Sequence, residues 1–181
     1  MRIFFDTEFY EDGKTIDLMS IGMVREDGEQ LYLINKECDW RKPFNDDWHR
    51  STTLPTILPY ITGPQALTRE QIARRILIFT GSLTEIKSGT FAPAYPAPRL
   101  EFWAYHADYD WVVLCQLFGR MIDLPNGFPK YCRDFKQLLD EHDFVIVRPG
   151  LGAHNALADA LWLKREYDSW MRQRDPTPTT A

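Results

Sequence analysis

Asp6 and Glu8 stand one residue apart in the apolar opening Arg2-Ile3-Phe4-Phe5-Asp6-Thr7-Glu8-Phe9. Along a strand, side chains alternate between faces with period two, so both acids would share one face, about 6.5 Å apart along the backbone. The phenylalanines around them reduce their access to water, and two like charges so placed repel unless a cation or a proton intervenes. Carboxylate oxygens suit hard divalent ions, which makes Mg²⁺ the natural counter-charge. Read alone, these eight residues also fit an edge strand whose acids face water. Two later stretches add titratable groups of the right kind. Asp108 and Asp110 follow an apolar run, and His154-Asn155-Ala156-Leu157-Ala158-Asp159 opens the last helical pattern.

The elements that would position these groups can be read from periodicity and turn residues. Asp12-Gly13 and Asp27-Gly28 are turn signals between apolar stretches at 2–9, 16–24 and 30–34, which predicts an antiparallel three-stranded meander with the acids on its first strand. Residues 35–64 form an irregular excursion with one short helix near 46–49. Thr68-Arg69-Glu70-Gln71 matches a capping box, and Ile72, Ile76 and Phe79 at helical spacing predict a helix over 69–79. Residues 80–99, dense in Gly, Ala, Thr and Pro, read as an exposed surface loop. A buried strand is expected at 100–105 and a helix at 111–118. Asp110 then falls at or just after a strand-to-helix junction, where open α/β sheets place ligand chemistry, while Asp108 is suited to capping that helix. Further helices are expected at 134–142 and from 154 to about 171, a short strand at 144–147, a break at 149–152, and a frayed tail at 174–181.

Composition narrows the function classes. The chain has 181 residues, of which 44% are hydrophobic, enough for one buried core and short for two, so one domain over 1–173 is expected. No uninterrupted apolar run is long enough to span a bilayer, and acids at positions 6 and 8 interrupt any signal-peptide core, so no membrane association is expected. Three widely spaced cysteines without a C-x-x-C pair argue against a disulfide framework or a zinc site and fit a reducing cytoplasm. A formal charge of −5 does not advertise a basic nucleic-acid face, but two bound Mg²⁺ ions would bring it to −1. A polyanionic substrate is therefore still open, whereas tight binding to long duplexes is disfavoured.

Taken in order, Asp6-x-Glu8, Asp110 and His154-x-x-x-x-Asp159 resemble the DEDD exonuclease superfamily of the ribonuclease-H-like fold. The resemblance spans about residues 3–171. It selects Asp110 over Asp108, because Tyr105-His106-Ala107-Asp108-Tyr109-Asp110 is similar to the family's second motif, in which the metal-facing Asp follows an aromatic residue. His106 stands where many members carry Asn. His five residues before the last Asp places the chain with the DEDDh branch, and the opening motif and chain length are most similar to the bacterial RNase AS type of 3′-5′ exoribonuclease. The fold implied is α/β, with a mixed sheet of antiparallel meander and parallel strands flanked by helices.

The resemblance also implies a mechanism and partners. Asp6, Glu8, Asp110 and Asp159 would hold two Mg²⁺ ions, for which Mn²⁺ can substitute. Asp6 would bridge the ions, Glu8 and Asp159 would complete one site, and Asp110 would serve the other. His154 would act as general base, since histidine exchanges its proton nearest neutral pH. Thr7, Phe9 and His106 are candidates for holding the terminal nucleotide, Phe9 by stacking. The expected reaction is removal of nucleoside 5′-monophosphates from the 3′ end of single-stranded RNA. An adenylate preference, a homodimer and a cytoplasmic setting go with it. A DNA 3′-5′ exonuclease would use the same residues, and a non-catalytic nucleotide-binding module is the reading from another class.

Overall fold

The computed structural model describes residues 1–147 and 154–174. Three long strands build the meander: β1 (Arg2–Glu11), β2 (Ile16–Arg25) and β3 (Gln30–Asn35). β2 pairs antiparallel with both neighbours. Leu18 through Val24 of β2 are all buried, the pattern of a central strand covered on both faces. The short strands β4 (Ala66–Leu67), β7 (Glu101–Ala104) and β8 (Arg133–Asp134) complete a six-stranded sheet of order β4-β3-β2-β1-β7-β8, in which β1, β7 and β8 run parallel. β5 (Leu83–Lys87) and β6 (Thr90–Pro93) form a separate two-stranded sheet. This is the mixed α/β, ribonuclease-H-like layout expected.

Period-two alternation divides β1 between two cores. Ile3 and Phe5 point to the face covered by α4 (Arg69–Phe79) and α5 (Asp108–Gln116), joining Ile72, Ile76, Val113 and Leu114. Phe4 points to the other face, where Phe135 and Leu139 of α6 (Phe135–Asp140) and Trp162, Leu163, Tyr167 and Trp170 of α7 (Ala156–Arg174) close around it. Asp6 and Glu8 share the Phe4 side of the strand. The buried residues of α7 follow a helical stripe, and Asp159 takes one of its positions among the apolar ones,. Between Glu8 and Phe9 the β1–β2 register slips by one residue, leaving Met19 without a partner. A bulge of this kind re-aims the side chains beside it.

The excursion after β3 is more ordered than its sequence suggests. It holds three short helices, α1 (Arg41–Phe44), α2 (Asp47–Ser51) and α3 (Leu54–Ile57). Leu54 and Ile57 cover Met19, Ile34 and Cys38 in a third small core. The expected surface loop over 80–99 contains a hairpin instead. Leu83-Thr84-Glu85-Ile86-Lys87 pairs with Thr90–Pro93 although its apolar residues do not alternate, Gly89 supplies the left-handed turn at φ 77°, and Arg74 of α4 stacks on Phe91 at 4.9 Å,. The expected strand at 144–147 is not one, and these residues run as irregular chain. α5 begins three residues before the expected start, so Asp110 lies in its first turn. The expected break at 149–152 and nearly all of the tail lie outside the described residues. Among the described residues, no helix is long and apolar enough to cross a membrane.

The capping box is formed as the sequence predicts. Thr68 accepts from the Gln71 N–H, and the Gln71 side chain accepts from the Thr68 N–H. Replacing Thr68 with Ala removes an acceptor from an otherwise orphaned donor. It is expected to lower the unfolding free energy by about 1 kcal/mol in urea titration, with Thr68→Ser close to wild type.

Candidate active site

Asp6 and Glu8 of β1 and Asp159 of α7 each present a carboxylate oxygen, and the three oxygens lie within 4.8 Å of one another. Glu8 and Asp159 are each only 7% exposed. At an effective dielectric of about 20, each pair of unit charges at this separation repels by about 3–4 kcal/mol. Such a group is stable when a cation or a proton shares it. The donors are all hard oxygens, and they fit a divalent ion of the Mg²⁺ or Mn²⁺ type. Asp6 and Glu8 line a cavity of about 520 Å³ whose wall also carries Asp110, His154, His106, Tyr109, Trp48 and His49.

Asp110 reaches this cavity by a different route. β7 pairs with β1 only as far as Phe4, so beyond that point the edge of β1 is open and its N–H groups need other partners,. The first turn of α5 fills the gap. The backbone N–H of Thr7 donates to Asp110 Oδ1 at 2.8 Å, and the Thr7 hydroxyl donates to the same oxygen. Both donors of this buried threonine are thus engaged with the carboxylate. Asp110 is 6% exposed, whereas Asp108, two residues earlier in the same turn, faces solvent. Asp108 makes no cap; the turn before α5 is instead held by Asp134, which accepts from the N–H groups of His106 and Ala107. Asp134 also caps α6 by accepting from Lys136 and Gln137.

His154 sits just ahead of α7 with φ 75°, a conformation that costs a non-glycine residue about 1 kcal/mol or more unless its surroundings enforce it. Three contacts do so. Its N–H donates to Asp159 Oδ2 at 2.9 Å, its carbonyl accepts from the Thr56 hydroxyl at 2.7 Å, and its ring meets Trp48 edge-on with centroids 4.9 Å apart. The helix start itself is capped by Asn155, whose side chain accepts from the Ala158 N–H,. The excursion between β3 and β4 therefore acts as a clamp on His154. Trp48, His49 and Thr56 were not singled out in the sequence, where the only signal was a short helix near 46–49. His49 is buried beside Tyr10 and Trp48. Burial depresses its pKa and the neighbouring His154 pushes the same way, with Asp46 opposing.

The remaining candidates lie at the cavity lip. Phe9 packs partly on the core and stacks face to face with Tyr109, centroids 5.8 Å apart and planes at 11°. Tyr109 is 53% exposed, so the pair presents an aromatic surface to the cavity. His106 is exposed, at φ 62°. The cysteine thiols are no rival for chemistry. All three are free, and burial pushes their pKa values upward, that of Cys115 to about 11,. Thr7→Val keeps shape but removes the hydroxyl donor to a buried carboxylate, and is expected to cost about 1.5–3 kcal/mol in chemical denaturation, while Thr7→Ser restores most of it.

A family profile described as the 3′-5′ exoribonuclease Rv2179c-like domain matches residues 1–170. Among curated proteins, the 3′-5′ exoribonuclease Rv2179c of Mycobacterium tuberculosis strain H37Rv is 35% identical over 161 residues, covering 88% of this chain and 87% of the relative. The same figures hold for the 3′-5′ exoribonuclease MT2234.1 of strain CDC 1551. Among solved structures, S. pombe Pop2p in its Mg²⁺ and Mn²⁺ bound form shares the fold, with a TM-score of 0.51 at 14% identity over 96% of this chain and 83% of Pop2p. With a profile match over nearly the whole chain and relatives at this level of identity, the protein belongs to the Rv2179c-like 3′-5′ exoribonuclease domain family.

Proposed function

We propose that this chain, as one exonuclease domain over residues 1–173, hydrolyses single-stranded RNA from the 3′ end and releases nucleoside 5′-monophosphates in the cavity between β1, α5 and His154. The observation that carries the reading is the convergence of Asp6, Glu8 and Asp159 to within 4.8 Å beside a cavity that Asp110 and His154 also line. Asp6, Glu8 and Asp159 would hold one Mg²⁺ or Mn²⁺ ion, and Asp6 with Asp110 the second. Bound there, two divalent ions supply an acidified water as nucleophile and take up charge on the departing oxygen. The rest belongs to the protein. Thr7 orients Asp110, and the Asp159 carboxylate, Thr56 and Trp48 fix His154 at the cavity, where its imidazole accepts the proton of the attacking water,. Phe9 and Tyr109 offer a surface on which an unpaired base can stack, which contributes about 1–3 kcal/mol per base with little discrimination among them,. His106 at the lip is the third candidate for substrate contact.

The names of the relatives favour RNA over DNA. The resemblance adds an adenylate preference, a homodimer and a cytoplasmic setting to the proposal. A 5′-labelled RNA and a DNA of identical sequence decide the substrate: stepwise shortening of the RNA from its 3′ end is expected, and equal or faster DNA cleavage overturns it. Chelation should abolish the activity, and either Mg²⁺ or Mn²⁺ should restore it.

Two sets of variants test the roles. His154→Ala keeps the main-chain bond to Asp159, so turnover should fall by about 10²–10⁴-fold with manganese binding little changed. Normal turnover would remove His154 from the mechanism. Asp110→Asn should impair cleavage far more than Asp108→Asn, and the opposite ranking would assign the wrong acid.

A further inference from the structure

Across the middle of the sheet, Asp6 of β1 lies opposite Gly22 of β2, and Gly22 lies opposite Tyr32 of β3. The first turn of α7 rests on this row. A Cβ placed on Gly22 would stand 2.2 Å from the Leu157 nitrogen and 2.3 Å from the carbonyl carbon and oxygen of Ala156. All three are backbone atoms, so no rotamer change relieves the contact; the helix start itself would have to move by about 1–2 Å to reach ordinary packing distance. Gly22 does not have a positive φ, so its requirement is for space alone. On one side of this seat is Tyr32 of β3. On the other side are Asp6 and Glu8, and Asp159 follows Leu157 by two residues on the same helical turn.

We infer that Gly22 is a positioning residue for the acidic group: by presenting no side chain it lets α7 settle on β2, and this settling brings Asp159 to Asp6 and Glu8. The inference rests on the reading of these acids as ion ligands. Serine, alanine or any larger residue at position 22 would leave β1 intact yet lift the third ligand away. Geometry around a ligand set changes metal affinity by about 10–100-fold when a supporting residue is lost.

Gly22→Ala in the full chain tests this by three measurements. A crystal structure of the variant should show the Asp159 carboxylate outside the 4.8 Å it now keeps from Asp6 and Glu8. Manganese affinity, followed by electron paramagnetic resonance, should fall by about 10–100-fold. Amide exchange should show β1, β2 and β3 protected as in wild type, with protection lost in the first turn of α7. Asp159 in its present place with affinity within about twofold of wild type would overturn the inference. Loss of protection throughout the sheet would also overturn it, since Gly22 would then serve folding as a whole. Asp159→Asn separates the underlying reading: if it leaves manganese binding of the otherwise wild-type chain unchanged, Asp159 is not a ligand, and the position of α7 in the Gly22→Ala crystal still decides what Gly22 does.

Discussion

Electrostatic repulsion among carboxylates held within 4.8 Å is the constraint around which this structure is arranged. Left alone, acids on separate elements would rotate apart into water, because each pair at this range opposes the fold by a few kcal/mol, a sizeable share of a domain's net stability. They are held by elements with strong reasons of their own to be where they are. β1 is fixed between β2 and β7 with Phe4 and Phe5 sunk into opposite cores. α7 is fixed by an aromatic face, Trp162, Tyr167 and Trp170, packed around Phe4 and Trp103. Apolar burial of this extent, at about 25 cal/mol per Å², outweighs the repulsion it imposes.

Around that centre, the surrounding elements each fix one degree of freedom. The slip between Glu8 and Phe9 places the unpaired Met19 of β2 beside Glu8, and the ladder resumes from Phe9 to Glu11,. Termination of β7 at Ala104 leaves an open edge on β1, which Asp110 enters through the two donors of Thr7. The α1–α3 excursion, tethered by Leu54 and Ile57 on its own small core, closes over the start of α7 and holds His154 in a left-handed conformation. A non-glycine residue persists in such a conformation where neighbouring structure supplies the compensation, and here part of it comes from Thr56, 98 positions away in the chain.

Much of the architecture was legible because it rests on local signals. The Asp-Gly turns marked the meander, Thr68 and Gln71 marked the start of α4 to the residue, and the stretch opening at His154 marked α7. The acids were legible as a pattern of residue types in order. The β5–β6 hairpin was not, because both its faces are largely exposed and its apolar residues show no period-two alternation. The early start of α5 was hidden for a related reason: Asp108 reads as a cap, while the actual support for the turn comes from Asp134, which belongs to another element. Tertiary contact overrode local preference there.

Local pattern settled which residues could meet: the alternation of β1 put Asp6 and Glu8 on one face, and the helical period of α7 put Asp159 in its buried stripe,. It could not determine that they do meet, or at what distance. That depended on a missing side chain at Gly22, just as the placing of Asp110 depended on the open edge beside Thr7 and that of His154 on a clamp built from Trp48 and Thr56, none of which has a local signature. Periodicity records the direction a side chain takes from its own backbone. How closely two elements approach is set by the volumes between them, and these belong to residues far apart in the chain.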